Sequence, residues 1–258
     1  MEKRKFTPRP HESDDNQMIY GIHPVLEAIR AGKEIDKIFI ARGTNNEGIL
    51  QVKTALKEQG VFWQEVPSDR LNRFTRKNHQ DVVAFISPVA YQPIDEIVPS
   101  IFEKGLTPLL LLLDRVTDVR NFGAIARTAE CAGVHAIVIP QRGAASVTSD
   151  AIRTSAGALS RIPVCRVRDL KQACLYLRDS GVTLAAASEK ASDHYFNADF
   201  SGPLGIIMGS EEDGVSDDII RTCDHLVRIP MLGHVGSLNV SVAAGVLVFE
   251  AVRQRLKK

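Results

Sequence analysis

The chain has 258 residues and a formal net charge of +1, with 44% hydrophobic and 24% charged residues. That balance belongs to a globular protein of one large domain or two modest ones. It offers no global field for nucleic acid, so any basic footprint has to be local. No apolar run approaches the ~20 residues of a membrane span, and the N-terminus lacks the apolar core of a signal peptide. Cys131, Cys165, Cys174 and Cys223 are scattered without CxxC spacing. Their spacing argues against zinc or a disulfide framework and fits a reducing cytoplasm.

Residues 1–17 mix both charge signs with Pro8 and Pro10 and almost nothing apolar, which predicts a disordered tail. A helix is expected to open at Pro24 and run to Arg30, with Val25, Leu26 and Ile29 on one face. A strand follows over Ile35–Ala41, an amphipathic helix over 47–59 ended by Gly60, and a strand over 61–66. A short helix over 68–75, capped by Ser68, precedes a strand over Val82–Ile86. This predicts a compact α/β domain over 18–90. Arg70, Arg73, Arg76 and Lys77 fall at roughly helical spacing, followed by Asn78, His79 and Gln80. A solvated charged face and a contact for RNA phosphates and base edges both remain open for them.

Residues 91–107 are rich in proline and lack clear periodicity, so they are expected as a linker, with a short helix near 95–103. From Leu109 strands and helices alternate. Strands are expected at Leu109–Leu113, Ala136–Pro140, 162–167, Thr183–Ala187, Leu204–Met208 and 225–229. Helices are expected at 121–132, 149–159, 169–180, 217–222 and 239–256. The unbroken leucine run predicts a strand buried on both faces. Alternation of this kind predicts an α/β domain over 108–258, a parallel sheet with helices on both sides.

Two strands end in abrupt glycine turns, at Gly209–Gly214 and at Gly233–Gly236. Such turns expose backbone N–H groups beside a helix N-terminus and suit a small polar ligand. A nicotinamide-binding fold is disfavoured. No GxGxxG follows the first strand, and Pro140 and Gln141 stand where a ribose-gripping acid would be expected.

Three segments together carry a specific resemblance. Asn121-Phe122-Gly123 with Arg127, then Gly209-Ser210-Glu211-Glu212-Asp213-Gly214, then Ile229-Pro230-Met231 with Ser237-Leu238-Asn239-Val240-Ser241, occur in that order. They resemble the three motifs of the SpoU (TrmH-like) RNA ribose 2′-O-methyltransferases of the SPOUT superfamily. The opening at Tyr20-Gly21-Ile22-His23 and the ending after Ser237 are similar to the RlmB-type subgroup.

The resemblance implies an RNA substrate-binding domain before a SPOUT methyltransferase domain. It also implies a deep trefoil knot holding both glycine turns, and a homodimer formed through the C-terminal helix. That helix is expected to present Val240, Ala243, Ala244, Leu247, Val248 and Ala251 as one apolar face, which could equally serve intrachain packing. The implied reaction moves a methyl group from S-adenosylmethionine to a ribose 2′-hydroxyl without metal. The implied substrate is a guanosine of large-subunit (23S) ribosomal RNA. A tRNA guanosine or a non-catalytic RNA-binding protein is the alternative.

The implied cofactor contacts are Gly209, Ile229 and Leu238, with Met208 and Met231 beside them. The implied catalytic set is Arg127, Asn121, Glu211, Ser237 and Asn239. Arg127 is expected to orient the ribose and stabilise its developing alkoxide, because a guanidinium accepts protons poorly. Glu211 is expected to fix Arg127 or the substrate. Asn239 has a second reading as a helix N-cap. His234 is a rival base, His23 and His135 are expected to be structural, and Arg153 and Ser155 stand open between RNA contact and helix surface.

Overall fold

The computed structural model describes residues 18–256. The expected tail at 1–17 lies outside them. The chain divides into two compact units, the first ending at Pro88 and the second beginning at Val89.

The first unit runs β1 (Met18–Tyr20), α1 (Ile22–Arg30), β2 (Ile35–Ala41), α2 (Glu47–Glu58), β3 (Gln64–Val66), α3 (Ser68–Phe74) and β4 (Val82–Ile86). Its sheet has the order β1-β4-β2-β3, with only β2 and β3 parallel. One face is covered by α1 and α2 through Val25, Leu26, Ile29, Ile49, Val52 and Leu56. The other carries Phe39 and Val83 under α3, whose Leu71 is fully buried. Pro67, not Ser68, occupies the N-cap of α3, and no side chain bonds there. Strand β1 escaped prediction because three residues show no period.

The second unit begins with α4 (Ile94–Glu103). It continues through β5 (Leu109–Leu113), α5 (Val119–Cys131), β6 (Ala136–Pro140), α6 (Ser149–Thr154), β7 (Val164–Val167) and α7 (Leu170–Asp179). Then come β8 (Thr183–Ala187), β9 (Asp193–His194), β10 (Leu204–Met208), α8 (Asp217–Ile220), β11 (His225–Arg228) and α9 (Val240–Arg255). The segment expected as a linker therefore folds with this unit: Val98 and Ile101 of α4 are buried in its core. Proline density suggested a spacer, but Pro93 sits just before the first turn of α4, where a missing N–H costs nothing.

The seven-stranded sheet is parallel throughout, in the order β7-β6-β5-β10-β8-β11-β9. Leu109, Leu111 and Leu113 pack against α5 and α9 on one face, and Leu110 and Leu112 against α4 and α7 on the other. The leucine run is thus buried on both sides, and the late strand β10 fills the sheet centre between β5 and β8. The expected helix over 149–159 is broken after Thr154, where Ala156 and Gly157 take positive φ of 50° and 84°. Among the described residues no helix is long and apolar enough to cross a membrane.

Candidate active site

In a parallel sheet the C-terminal strand ends face the helix N-termini, and ligands gather there. The turns after β8, β10 and β11 meet at that edge around a cleft of about 680 Å³. Its walls include Met208, Gly209, Ile229, Met231 and Leu238, together with Glu211, Ser237 and Asn239. The volume suits a small-molecule site. The lining also supplies both kinds of surface, with apolar Met208, Ile229 and Leu238 beside polar Ser188, Ser210 and Asp217.

The 209–214 turn is stiff. Ser210 and Gly214 exchange two backbone hydrogen bonds, of 3.2 and 3.0 Å, and the Ser210 hydroxyl accepts from the Asp213 N–H. A Cβ on Gly209 would stand 2.0 Å from the Gly214 carbonyl carbon, so only glycine closes this turn. The 231–238 loop is the opposite. Leu232 and Val235 are 98% and 76% exposed. Among the described residues its backbone groups have no hydrogen-bond partner, so they are open to a ligand.

Three side chains from three turns close a polar triangle at the cleft. The Asn239 amide donates to Glu211 Oε1 at 2.7 Å and to Asn121 Oδ1 at 3.0 Å. The Asn121 amide donates to the same Glu211 oxygen at 3.1 Å. Local chemistry fixes each corner. Asp118 caps α5 by accepting from the Asn121 N–H, and Asn239 caps α9 by accepting from the Ser241 N–H. The two readings of Asn239, cap and site residue, are both satisfied: its oxygen caps and its amide reaches Glu211.

Comparison with known proteins decides the family. The model of the SpoU rRNA methylase family matches residues 108–249. That of the RNA 2′-O ribose methyltransferase substrate-binding domain matches residues 18–92. This chain belongs to the SpoU family. A Bacillus subtilis protein named as a TrmH family tRNA/rRNA methyltransferase is 34% identical over 94% of this chain and 98% of its own. The SpoU methyltransferase AviRb of Streptomyces viridochromogenes, crystallised with AdoMet, superposes with a TM-score of 0.59. It is 26% identical and covers 93% of this chain and 91% of its own. An AdoMet-bound rRNA methyltransferase of Sinorhizobium meliloti also gives 0.59, at 28% identity, over 92% of this chain and 87% of its own. The chain is thus an RNA ribose methyltransferase of the SpoU (TrmH) type.

In this SpoU chain Arg127 does not meet Glu211. It stands six residues beyond Asn121, about 9 Å along α5, and is exposed without a hydrogen bond or ion pair among the described residues. The expectation that Glu211 fixes Arg127 gives way to the asparagine pairing. Ser237 and His234 are exposed in the open loop. Ser155 is fully buried and bonds only to backbone, accepting from the Leu159 N–H and donating to the Ile152 carbonyl, so it is structural. Arg153 is exposed and paired with Asp150. Gly123 of the first motif serves packing: a Cβ there would stand 2.8 Å from the Ala151 carbonyl of α6.

In the first unit, only Arg70 and Arg73 of the four expected cations lie on α3. Arg76 and Lys77 follow its extended C-cap, Thr75. All four are exposed. His79 is buried between Asn72 and the Asp81 N–H, and Gln80 accepts from the Ile22 N–H of α1. Both hold the loop, and buried His79 is not open to base edges.

Sequence reasoning missed Arg115. It has a positive φ of 59°. It pairs with Asp213 at 3.0 Å and donates to the Gly214 carbonyl at 3.0 Å, tying the turn after β5 to the turn after β10. Buried Asp114 completes the tie by accepting from the Ser216 N–H at 2.7 Å. The signal was available ahead of the first motif, where the charged pair Asp114-Arg115 directly follows an all-apolar strand.

Proposed function

We propose that the cleft binds S-adenosylmethionine and that the chain methylates the ribose 2′-hydroxyl of a guanosine in 23S ribosomal RNA. The observation that carries this reading is the Asn121–Glu211–Asn239 triangle at the rim of a cleft lined by all five expected cofactor residues. The cofactor supplies an already activated methyl group, so the protein has to position and to stabilise charge. Met208, Ile229 and Leu238 would hold the adenosyl part, and the open 231–238 backbone its polar groups. Glu211 has one oxygen saturated by the two asparagines, which leaves the other to receive the ribose hydroxyl. Ser237 would orient that hydroxyl, and Arg127 would face the oxygen as its charge develops.

We further propose a cytoplasmic homodimer. Among the described residues all four cysteines are free thiols, which suits a reducing compartment. Arg127 is remote from Glu211 in its own chain, and a dimer through the α5–α9 side offers it a partner's cleft. The implied trefoil knot belongs to the same proposal, since β10 lies between β5 and β8 and the chain after it forms the remaining turns. Large-subunit RNA is favoured over tRNA by the similarity of both chain ends to the RlmB-type subgroup.

Calorimetry with S-adenosylmethionine in excess EDTA tests the cofactor site. Saturable binding at one site per chain is expected. Binding that vanishes with the chelator would contradict a metal-free cleft.

A further inference from the structure

The second face of the first unit's sheet is only partly covered. Met18 and Tyr20 of β1, Phe85 of β4 and Phe74 of α3 are half-buried around the buried Phe39. Phe39 and Phe74 stack at 5.0 Å between ring centres, and Phe85 meets Phe74 edge-on at 5.4 Å. Packing accounts for Phe39 and Leu71. It does not account for four further aromatic or thioether side chains left half in water beside cations. Lys77 Nζ lies 5.9 Å from the Tyr20 ring centre and Arg70 Cζ 5.4 Å from that of Phe39. Exposed Lys37 is the cross-strand partner of Phe85, so it rises from the same face.

The adjoining loop is held in shape. Gln80 and Asp81 both take positive φ, of 48° and 65°. His79 bridges Asn72 and Asp81, and the Thr44 hydroxyl donates to Asp81. Strain kept by such over-determined contacts gathers at functional surfaces. Unstacked bases of single-stranded RNA are recognised on aromatic rings flanked by cations.

We propose that Tyr20, Phe74 and Phe85 form a stacking platform for an unpaired nucleobase of the RNA substrate, with Lys37, Arg70 and Lys77 on the neighbouring phosphates. This rests on the reading of Arg70, Arg73, Arg76 and Lys77 as RNA contacts. The occupant is RNA because cations rim the aromatic face on several sides.

The test compares the full chain with Tyr20→Leu/Phe85→Leu, which keeps apolar bulk and removes two ring faces. The probe is a short single-stranded oligouridine carrying one central 2-aminopurine. Wild type should alter the 2-aminopurine emission on saturation. The leucine variant should bind roughly tenfold more weakly with an unchanged salt slope, as expected for lost stacking without lost charge. Tyr20→Phe should bind as wild type. A separate Ala replacement of Arg70, Arg73, Arg76 and Lys77 should flatten the salt slope, so failure of the cation reading shows up independently. Wild-type affinity in a leucine variant of unchanged melting temperature overturns the platform. So does wild-type RNA affinity with an altered mass by light scattering, which would mean that the face docks protein. If the leucine variant does not fold, unchanged 2-aminopurine emission on saturating wild type overturns it.

Discussion

Glu211 Oε1 accepts from two asparagines of distant turns, and removing Glu211 leaves the Asn121 amide without its partner. The three motif residues could be picked out of the sequence as types. Their mutual pairing could not, because hydrogen bonds across 90 and 118 positions leave no local pattern. Two motif glycines also have a packing role that the sequence did not show. Gly209 lines the cleft, and its neighbours show that the turn cannot close with any side chain there. Gly123 stood in a catalytic signature and lets α5 approach α6. In the proposed mechanism Arg127 is the residue that stabilises the developing alkoxide. Arg127→Ala should lose roughly 10²–10³ in single-turnover methyl transfer, the usual effect of one lost charge-stabilising donor. Its S-adenosylmethionine affinity should stay at the wild-type value. Arg127→Lys should fall between, since a point charge remains without the planar fork. Near-wild-type rates for the alanine variant would make Arg127 structural and return attention to His234.

Among the elements, α9 uses its apolar face for intrachain packing. Ala244, Leu247, Val248 and Ala251 are buried against the sheet and α5 within the same chain, so a charged residue at Ala244 would attack the fold. The apolar residues that α9 leaves outside are Val242 at 52% and Phe249 at 49% exposure. Periodicity marks an apolar stripe but cannot say which neighbour takes it, since a helix wrapped by small residues can bury either side. Light scattering at micromolar concentration should show a dimer for wild type and a monomer for Phe249→Arg. A dimeric Phe249→Arg would move the interface elsewhere.

The loop before β6 makes a separate element-level prediction. Burial lowers the pKa of His135 below its usual 6.5, and its Nδ1 accepts from the Leu109 N–H, which requires that nitrogen to be unprotonated. The unfolded chain therefore takes the proton first as pH falls. Stability from this group is full above the unfolded value and is lost as pH drops below 6.5 toward the folded value. The melting temperature of wild type should fall over that interval more steeply than that of His135→Gln. Parallel curves would remove His135 from the acid response.

For the whole molecule, the alternation of strand and helix was enough to read a parallel two-sided sheet, because a five-leucine strand has to be covered twice. The strand order was not readable. Pairing of β10 with β5 joins segments some hundred residues apart, and nothing local specifies which strand a late segment enters. The chain divides at Pro88 and Val89, and 91–107 was expected as a linker from its prolines, whereas Val98 and Ile101 are buried in the second unit's core. The proposed reaction is methylation, in this cleft, of a ribose hydroxyl of large-subunit RNA. It is tested most directly by incubating the protein with methyl-labelled S-adenosylmethionine and purified 23S RNA or tRNA, then digesting each RNA to nucleosides. Label should appear in 2′-O-methylguanosine from 23S RNA and be absent from tRNA. Label on a base, or in tRNA alone, would contradict the account.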